Sequence, residues 1–248
     1  MNAFCNEREL FIEETHKRTV SLSLKKIEDY YFGMGKAFDD AFNQYARREK
    51  KQYAKEKNNL IKDVAKNLNK YFASDNISFE TCFNQCIVLA KKILNNDSFG
   101  IAQKFVNMSF KHLYCYDDAL TDFRNKFCDC HLPLDKYTIK WVRSFKNEKI
   151  NRKLDSIKNA WANLNEQLYN EIQTFVSDKL KENIKYRISH NPNASNNGFC
   201  QLPCNKLEAE FIIWHQEKIN EIHNILLKTA DNDLERLGIM WIVSDASK

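Results

Sequence analysis

The chain has 248 residues, 43% of them hydrophobic, with only 5 glycines and 3 prolines and a net charge of +5. That length and apolar content suit one domain with a sizeable core. The absence of any apolar run of about 18 residues excludes a membrane span, and the scarcity of Gly and Pro excludes a loop-rich fold. Apolar residues recurring at three and four read as almost entirely α-helical. In chain order, Glu7 to Tyr31 reads as a helix broken near Ser21 to Ser23, and Gly33-Met34-Gly35 as a turn. Lys36 to Lys70 reads as one or two charged helices with Phe38, Phe42, Tyr45, Tyr53, Leu60 and Val64 on the apolar stripe. Ser78 is placed to cap a helix through Cys86 and Leu89 to Leu94. Asn95 to Gly100 reads as a turn, Ile101 to Tyr116 as a strong helix and Asp117 to Asp129 as a polar connector. After the Leu132-Pro133-Leu134-Asp135 break come helices at Lys136 to Phe145, Ile150 to Leu164 and Asn165 to Ile188. Ser189 to Phe199 is the most loop-like stretch, and Leu207 to Leu227 and Asp231 to Ile242 finish the fold.

Two helix starts carry chemistry-bearing residues. Asp135 sits at the N-cap position of the helix from Lys136. Lys104 lies within about one turn of the start of the helix from Ile101, where free N–H groups and the helix dipole disfavour a charged amine. Partial burial acts in the same sense, which makes Lys104 a candidate nucleophile. Taken singly, each residue has an ordinary reading, a solvated lysine and a helix cap. Ala102, Phe105, Val106, Ser109, Phe110 and Leu113 form the face expected to be buried, while Lys104, Asn107 and Lys111 share a polar face. A third segment, Leu202 to Trp214, opens a helix after Pro203 and places Glu210 and Trp214 four apart on one face. A carboxylate beside an indole can hold a purine, the ring stacking and the carboxylate accepting ring N–H groups.

Together the three segments resemble a known family. Phe99 to Lys111 is similar to the catalytic turn and helix of the helix-hairpin-helix DNA glycosylases, and most similar to the archaeal 8-oxoguanine branch, whose helix carries two lysines seven apart. His131 to Asp135 resembles that family's Pro-Val-Asp motif, and Leu202 to Trp214 its late base-contacting segment. The resemblance covers residues 95 to 215 in patches and leaves the first 95 unmatched. It implies a two-lobed all-α fold with a cleft between lobes. Residues 1–248 would then form a single domain, with a central lobe of about 36–135 and the N- and C-terminal helices in the other. It further implies a DNA glycosylase with AP lyase activity that excises an oxidised purine, 8-oxoguanine foremost, from double-stranded DNA. Lys104 would be the Schiff-base nucleophile and Asp135 its activating carboxylate. Glu210, Trp214, Lys111 and His131 would contact the substrate, and Phe99, Gly100 and Ile101 at a helix start would hold phosphate together with basic side chains such as Lys111. No cofactor or metal is implied, and a monomer is expected. The acidic residue is a glutamate here, where the family has an aspartate.

Other patterns are weaker. Cys82-x₃-Cys86 and Cys200-x₃-Cys204 fit zinc poorly, since zinc sites favour two-residue knuckles. The 8 cysteines, with no basic region and apolar stretch at Met1 to Arg8, point to free thiols in an intracellular, cytoplasmic protein, nucleoid-associated or nuclear by its expected role. His112 reads as a surface or groove residue, and Arg47 to Lys51 as a solvated helix face. Two rival classes remain open: a non-catalytic helical module binding nucleic acid or protein, and a metal-dependent nuclease or toxin using Asp135, Glu208 and Glu210.

Overall fold

The computed structural model describes residues 3–16, 21–46, 50–93, 98–158, 160–190 and 205–237. Among these residues the fold is all-α and contains no strand. The helices are α1 (Ala3–Phe11), α2 (Ile27–Ala46), α3 (Lys50–Ala73), α4 (Phe79–Ile93), α5 (Phe99–Leu113), α6 (Lys136–Ser144), α7 (Glu148–Ser156), α8 (Glu166–His190) and α9 (Lys206–Leu237). A π-helical turn, Ile12–His16, extends α1, and 3-10 turns lie at Arg124–Phe127 and Trp161–Asn163.

Helix α5 is the axis of the fold. Every residue of it is buried except Lys104, which is half-buried. The expected face is inside, and so is most of the face that reads as polar. Helices α2 and α4 pack on α5, α3 packs on α2 and α4, and the Trp161–Asn163 turn covers the start of α5. Helices α1, α6 and α8 pack on α9, and α7 packs on α8. Phe38 and Phe42 stack at 4.2 Å between centroids, and Phe105 meets each edge-on at 6.0 and 5.9 Å. Burying each such ring contributes roughly 1.5–3 kcal/mol, so this junction of α2 with α5 is a main anchor of the core.

Several boundaries differ from the sequence reading. Gly33-Met34-Gly35 is not a turn but lies inside α2. Gly33 is there because α2 runs tight against its neighbours: an added Cβ would sit 2.9 Å from Tyr116 Oη and 3.3 Å from His112 Cβ. The Gly33 N–H instead donates to Tyr116 Oη at 3.1 Å. The helix expected to run to Leu164 stops at Ser156, followed by Lys158 in the left-handed region (φ 54°) and then the 3-10 turn. The two C-terminal helices are one, α9, which contains neither Gly nor Pro. Phe99 and Gly100 are helical rather than part of a turn. Ser78 does cap α4, accepting the Thr81 N–H at 3.1 Å. Asn95 to Asp97, Arg47 to Glu49, Pro192 to Phe199 and the Cys200/Cys204 pair fall outside the described residues.

Candidate active site

Asp135 is the N-cap of α6, and its two carboxylate oxygens are divided between tasks. Oδ1 accepts the N–H groups of Tyr137 (2.9 Å) and Thr138 (3.1 Å). The Thr138 hydroxyl accepts the Asp135 N–H at 2.8 Å, completing a capping box. Oδ2 faces Lys104, 3.9 Å from Nζ, and the two side chains are 13% and 11% exposed for Lys104 and Asp135 respectively. The cap and the charge pair therefore coexist in one residue.

The facing geometry comes from a pair of glutamines. Gln103, next to Lys104, donates through Nε2 to the Leu134 carbonyl at 2.8 Å and accepts the Leu134 N–H at 3.3 Å. Gln173 on α8 does the same for Leu132, donating at 2.7 Å and accepting at 3.0 Å. A loop that has no regular hydrogen-bond ladder thus has its buried backbone groups satisfied by side chains. Its tie to Gln103 fixes Asp135 against the start of α5. His131 braces the same loop from within the core: its ring nitrogens engage Tyr169 Oη (2.9 Å) and Glu80 Oε1 (3.0 Å). Its expected place as a substrate contact is corrected accordingly, since both nitrogens are already taken by protein.

Lys111, two turns along α5 from Lys104, is fully buried and pairs with the equally buried Glu210 of α9. The rings of Phe11, Phe211 and Trp214 lie 3.9, 4.9 and 5.1 Å from Lys111 Nζ. A lysine so enclosed cannot reach a DNA phosphate, which corrects that part of its expected role. Burial pushes the Glu210 carboxyl up to about 7, against the opposing pull of Lys111. Asp135 and Lys104 also act on Glu210, one in each sense, so the two lysine–carboxylate pairs lie within each other's field. Lys104 with Asp135, and Lys111 with Glu210 and Trp214, thus form two groups two turns apart along α5, drawn from three separate stretches of the chain.

Beside them runs a polar chain that the sequence did not reveal, buried at its two histidines and open to solvent at Asp40. Asp40 Oδ2 lies 2.9 Å from His112 Nε2, and His112 Nδ1 lies 2.9 Å from His16 Nε2. His112 is buried, contrary to its reading as a surface residue. Burial holds the His112 and His131 rings below the ordinary 6.5, outweighing the carboxylate each touches. An unfolded histidine takes up its proton more readily, so the stability these groups lend is lost as pH falls through that value. Glu210, raised in the folded state, acts in the opposite sense and loses its contribution as pH rises toward 7. The difference between variants separates the two: His112→Gln is expected to flatten the fall in urea midpoint below pH 6.5 relative to the unsubstituted chain.

The start of α5 does not offer an open phosphate seat. Phe99, Gly100 and Ile101 are buried, and Ser98 Oγ donates to the Ala162 carbonyl at 2.9 Å. A Cβ on Gly100 would lie 2.1 Å from the Trp161 carbonyl oxygen, so that face of the helix start meets protein. This close approach explains the glycine better than a phosphate does. Gly100→Ala is expected to cost about 1–3 kcal/mol in a denaturant titration, because backbone has to move to admit the methyl group. Trp161 itself, absent from every sequence motif, places its ring 4.5 Å from Lys104 Nζ.

Asp135, Glu208 and Glu210 are not gathered as a metal site. Glu208 Oε1 accepts from Tyr114 Oη (2.6 Å) and Arg124 (3.3 Å), while Glu210 turns to Lys111. Among the described residues no group of three His, Cys, Asp or Glu side chains is arranged to hold a metal ion. Nor is any helix among them long and apolar enough to cross a membrane. Residues 4–75 match a family of unknown function, DUF6312. The match spans α1 to α3 and ends before Lys104. No curated protein and no solved structure matches the chain.

Proposed function

We propose that this protein is a DNA glycosylase with AP lyase activity that acts on an oxidised purine through a Schiff base on Lys104. The observation that carries the reading is the approach of Lys104 Nζ to the free oxygen of Asp135, 3.9 Å away, with both side chains nearly buried. A solvated surface lysine would have neither the partner nor the enclosure. The resemblance also expects a base pocket at Glu210 and Trp214, and these two residues gather around Lys111, two turns along α5 from the pair. In this reading helices α2–α5 and the group on α9 are the two lobes, and the damaged nucleotide is flipped between them at a cost of about a few kcal/mol.

The chemistry needs only these side chains. Neutral Lys104 attacks C1′ of the flipped nucleotide and the base departs with the glycosidic electron pair. Asp135 stabilises the positive charge developing on the sugar and takes the proton that the attacking nitrogen sheds. β-Elimination from the resulting imine then breaks the strand on the 3′ side. Glu210 is closed off by Lys111 and the rings around it, so of the two residues implied for the base pocket the half-buried Trp214 is the one left to stack on the flipped base. The test is reduction with borohydride during incubation with duplex DNA carrying 8-oxoguanine or another oxidised purine. A covalent protein–DNA adduct is expected; none across a panel of such lesions and an abasic site rules the proposal out.

A further inference from the structure

Trp161 lies outside every segment that carries the resemblance, yet it is among the best-placed groups at Lys104. It is 9% exposed, and its 3-10 turn is locked to α5 by Ser98 and by the fit against Gly100. Lys104 Nζ is flanked by the indole, 4.5 Å from the centroid, and by Asp135 Oδ2 at 3.9 Å.

The charge on Nζ changes in the course of Schiff-base formation. The attacking form of the amine is the neutral one, and the nitrogen becomes cationic as the bond to C1′ forms, while the C1′–base bond breaks and its electron pair leaves with the base, which is protonated from solvent. The nitrogen passes a proton to Asp135. Its lone pair then forms the C1′=N bond as C1′–O4′ breaks, and O4′ takes that proton. The product is an iminium, again cationic at Nζ. An aromatic face attracts a cation through its quadrupole, most strongly for indole and in desolvated settings. We infer that the Trp161 indole stabilises the cationic nitrogen of Lys104 during Schiff-base formation. The inference rests on Lys104 being the Schiff-base nucleophile.

The experiment replaces the Trp161 indole in the full chain with analogues bearing one, two and three fluorine atoms, alongside Trp161→Leu. Fluorine drains electron density from the ring face with little change of size, so a purely structural role leaves the series flat. The readout is the single-turnover rate of borohydride-trapped adduct on duplex DNA containing an abasic site, which needs no base recognition. The rate is expected to fall stepwise, by about 10-fold at the end of the series, with Trp161→Leu at least as slow. Non-covalent affinity for the same duplex, measured in a Lys104→Gln background, is expected to stay constant. A flat fluorination series with a normal adduct in the unsubstituted chain overturns the role of Trp161 and leaves Lys104 chemistry standing. Absence of an adduct in the unsubstituted chain overturns the Schiff-base reading and this inference with it.

Discussion

Lys104→Gln is expected to reduce both the trapped adduct and strand nicking below detection, while the protein keeps its helical content and thermal transition. The amide has no lone pair available for attack at C1′, so no partial activity survives through a slower nucleophile. The fold is insensitive for a different reason. Lys104 is the one residue of α5 that is not buried, and its charge partner Asp135 is already secured through Oδ1 by two backbone N–H groups. The companion substitution, Asp135→Asn, separates the two tasks of that carboxylate. Asparagine is as good a helix cap as aspartate, so the Tyr137 and Thr138 contacts persist and stability changes little. The charge facing Nζ is lost, and adduct formation is expected to slow by about 100-fold or more. Asp135→Ala removes the cap as well and adds a stability loss of about 1 kcal/mol. Equal adduct rates for Asp135→Asn and the unsubstituted chain would remove the carboxylate from the mechanism.

The second large effect is on stability, at the Lys111–Glu210 pair. Lys111→Met leaves a carboxylate buried at 1% exposure without its paired charge, and among the described residues no other donor forms a hydrogen bond to either of its oxygens. Breaking a buried pair from one side costs about 3–5 kcal/mol, because the surviving charge keeps its desolvation penalty. The cost is pH-dependent, and its sign follows from Glu210. With the carboxyl already pushed up to about 7 by burial, loss of Lys111 raises it further, so the folded variant takes up a proton that the unfolded chain does not hold. Its deficit therefore shrinks as pH falls and grows as pH rises. Lys111→Met combined with Glu210→Gln is expected to recover much of the loss, since neither charge then remains. Urea unfolding of the four proteins at acid and alkaline pH closes the cycle. A Lys111→Met penalty that is small and independent of pH would mean that Glu210 is not buried beside it in solution.

Much of the helical layout was legible because it rests on local signals. Ser78 and Asp135 precede helices that they cap, and the apolar rows of α2, α3 and α5 are continuous. Where the reading failed, tertiary packing had overridden a local signal. Gly33 suggests a turn by composition but serves the close passage of α2 against Tyr116 and His112. Lys111 and His112 are polar and so read as surface, yet both are inside, because α9 supplies Glu210 to one and α2 supplies Asp40 to the other. Trp161 had no signal at all: its position under Lys104 depends on a turn that begins where a helix was expected.

By itself the sequence determined the helices on which the candidate residues sit: Lys104 near the start of one, Asp135 capping another, and Glu210 with Trp214 on a third. Periodicity and capping are properties of neighbouring residues, so they are written locally. Only the tertiary structure decided that Lys104 meets Asp135 and that Lys111 meets Glu210 and Trp214. The Gln103 and Gln173 clamps tie the Asp135 loop to α5 and to α8, across 31 and 41 positions of the chain. The burial that turns Lys111 from a phosphate-binding candidate into half of an interior ion pair comes from α1 and α9 closing over it with Phe11, Phe211 and Trp214. Such contacts depend on which surfaces exclude water together, and no local stretch of the chain encodes that.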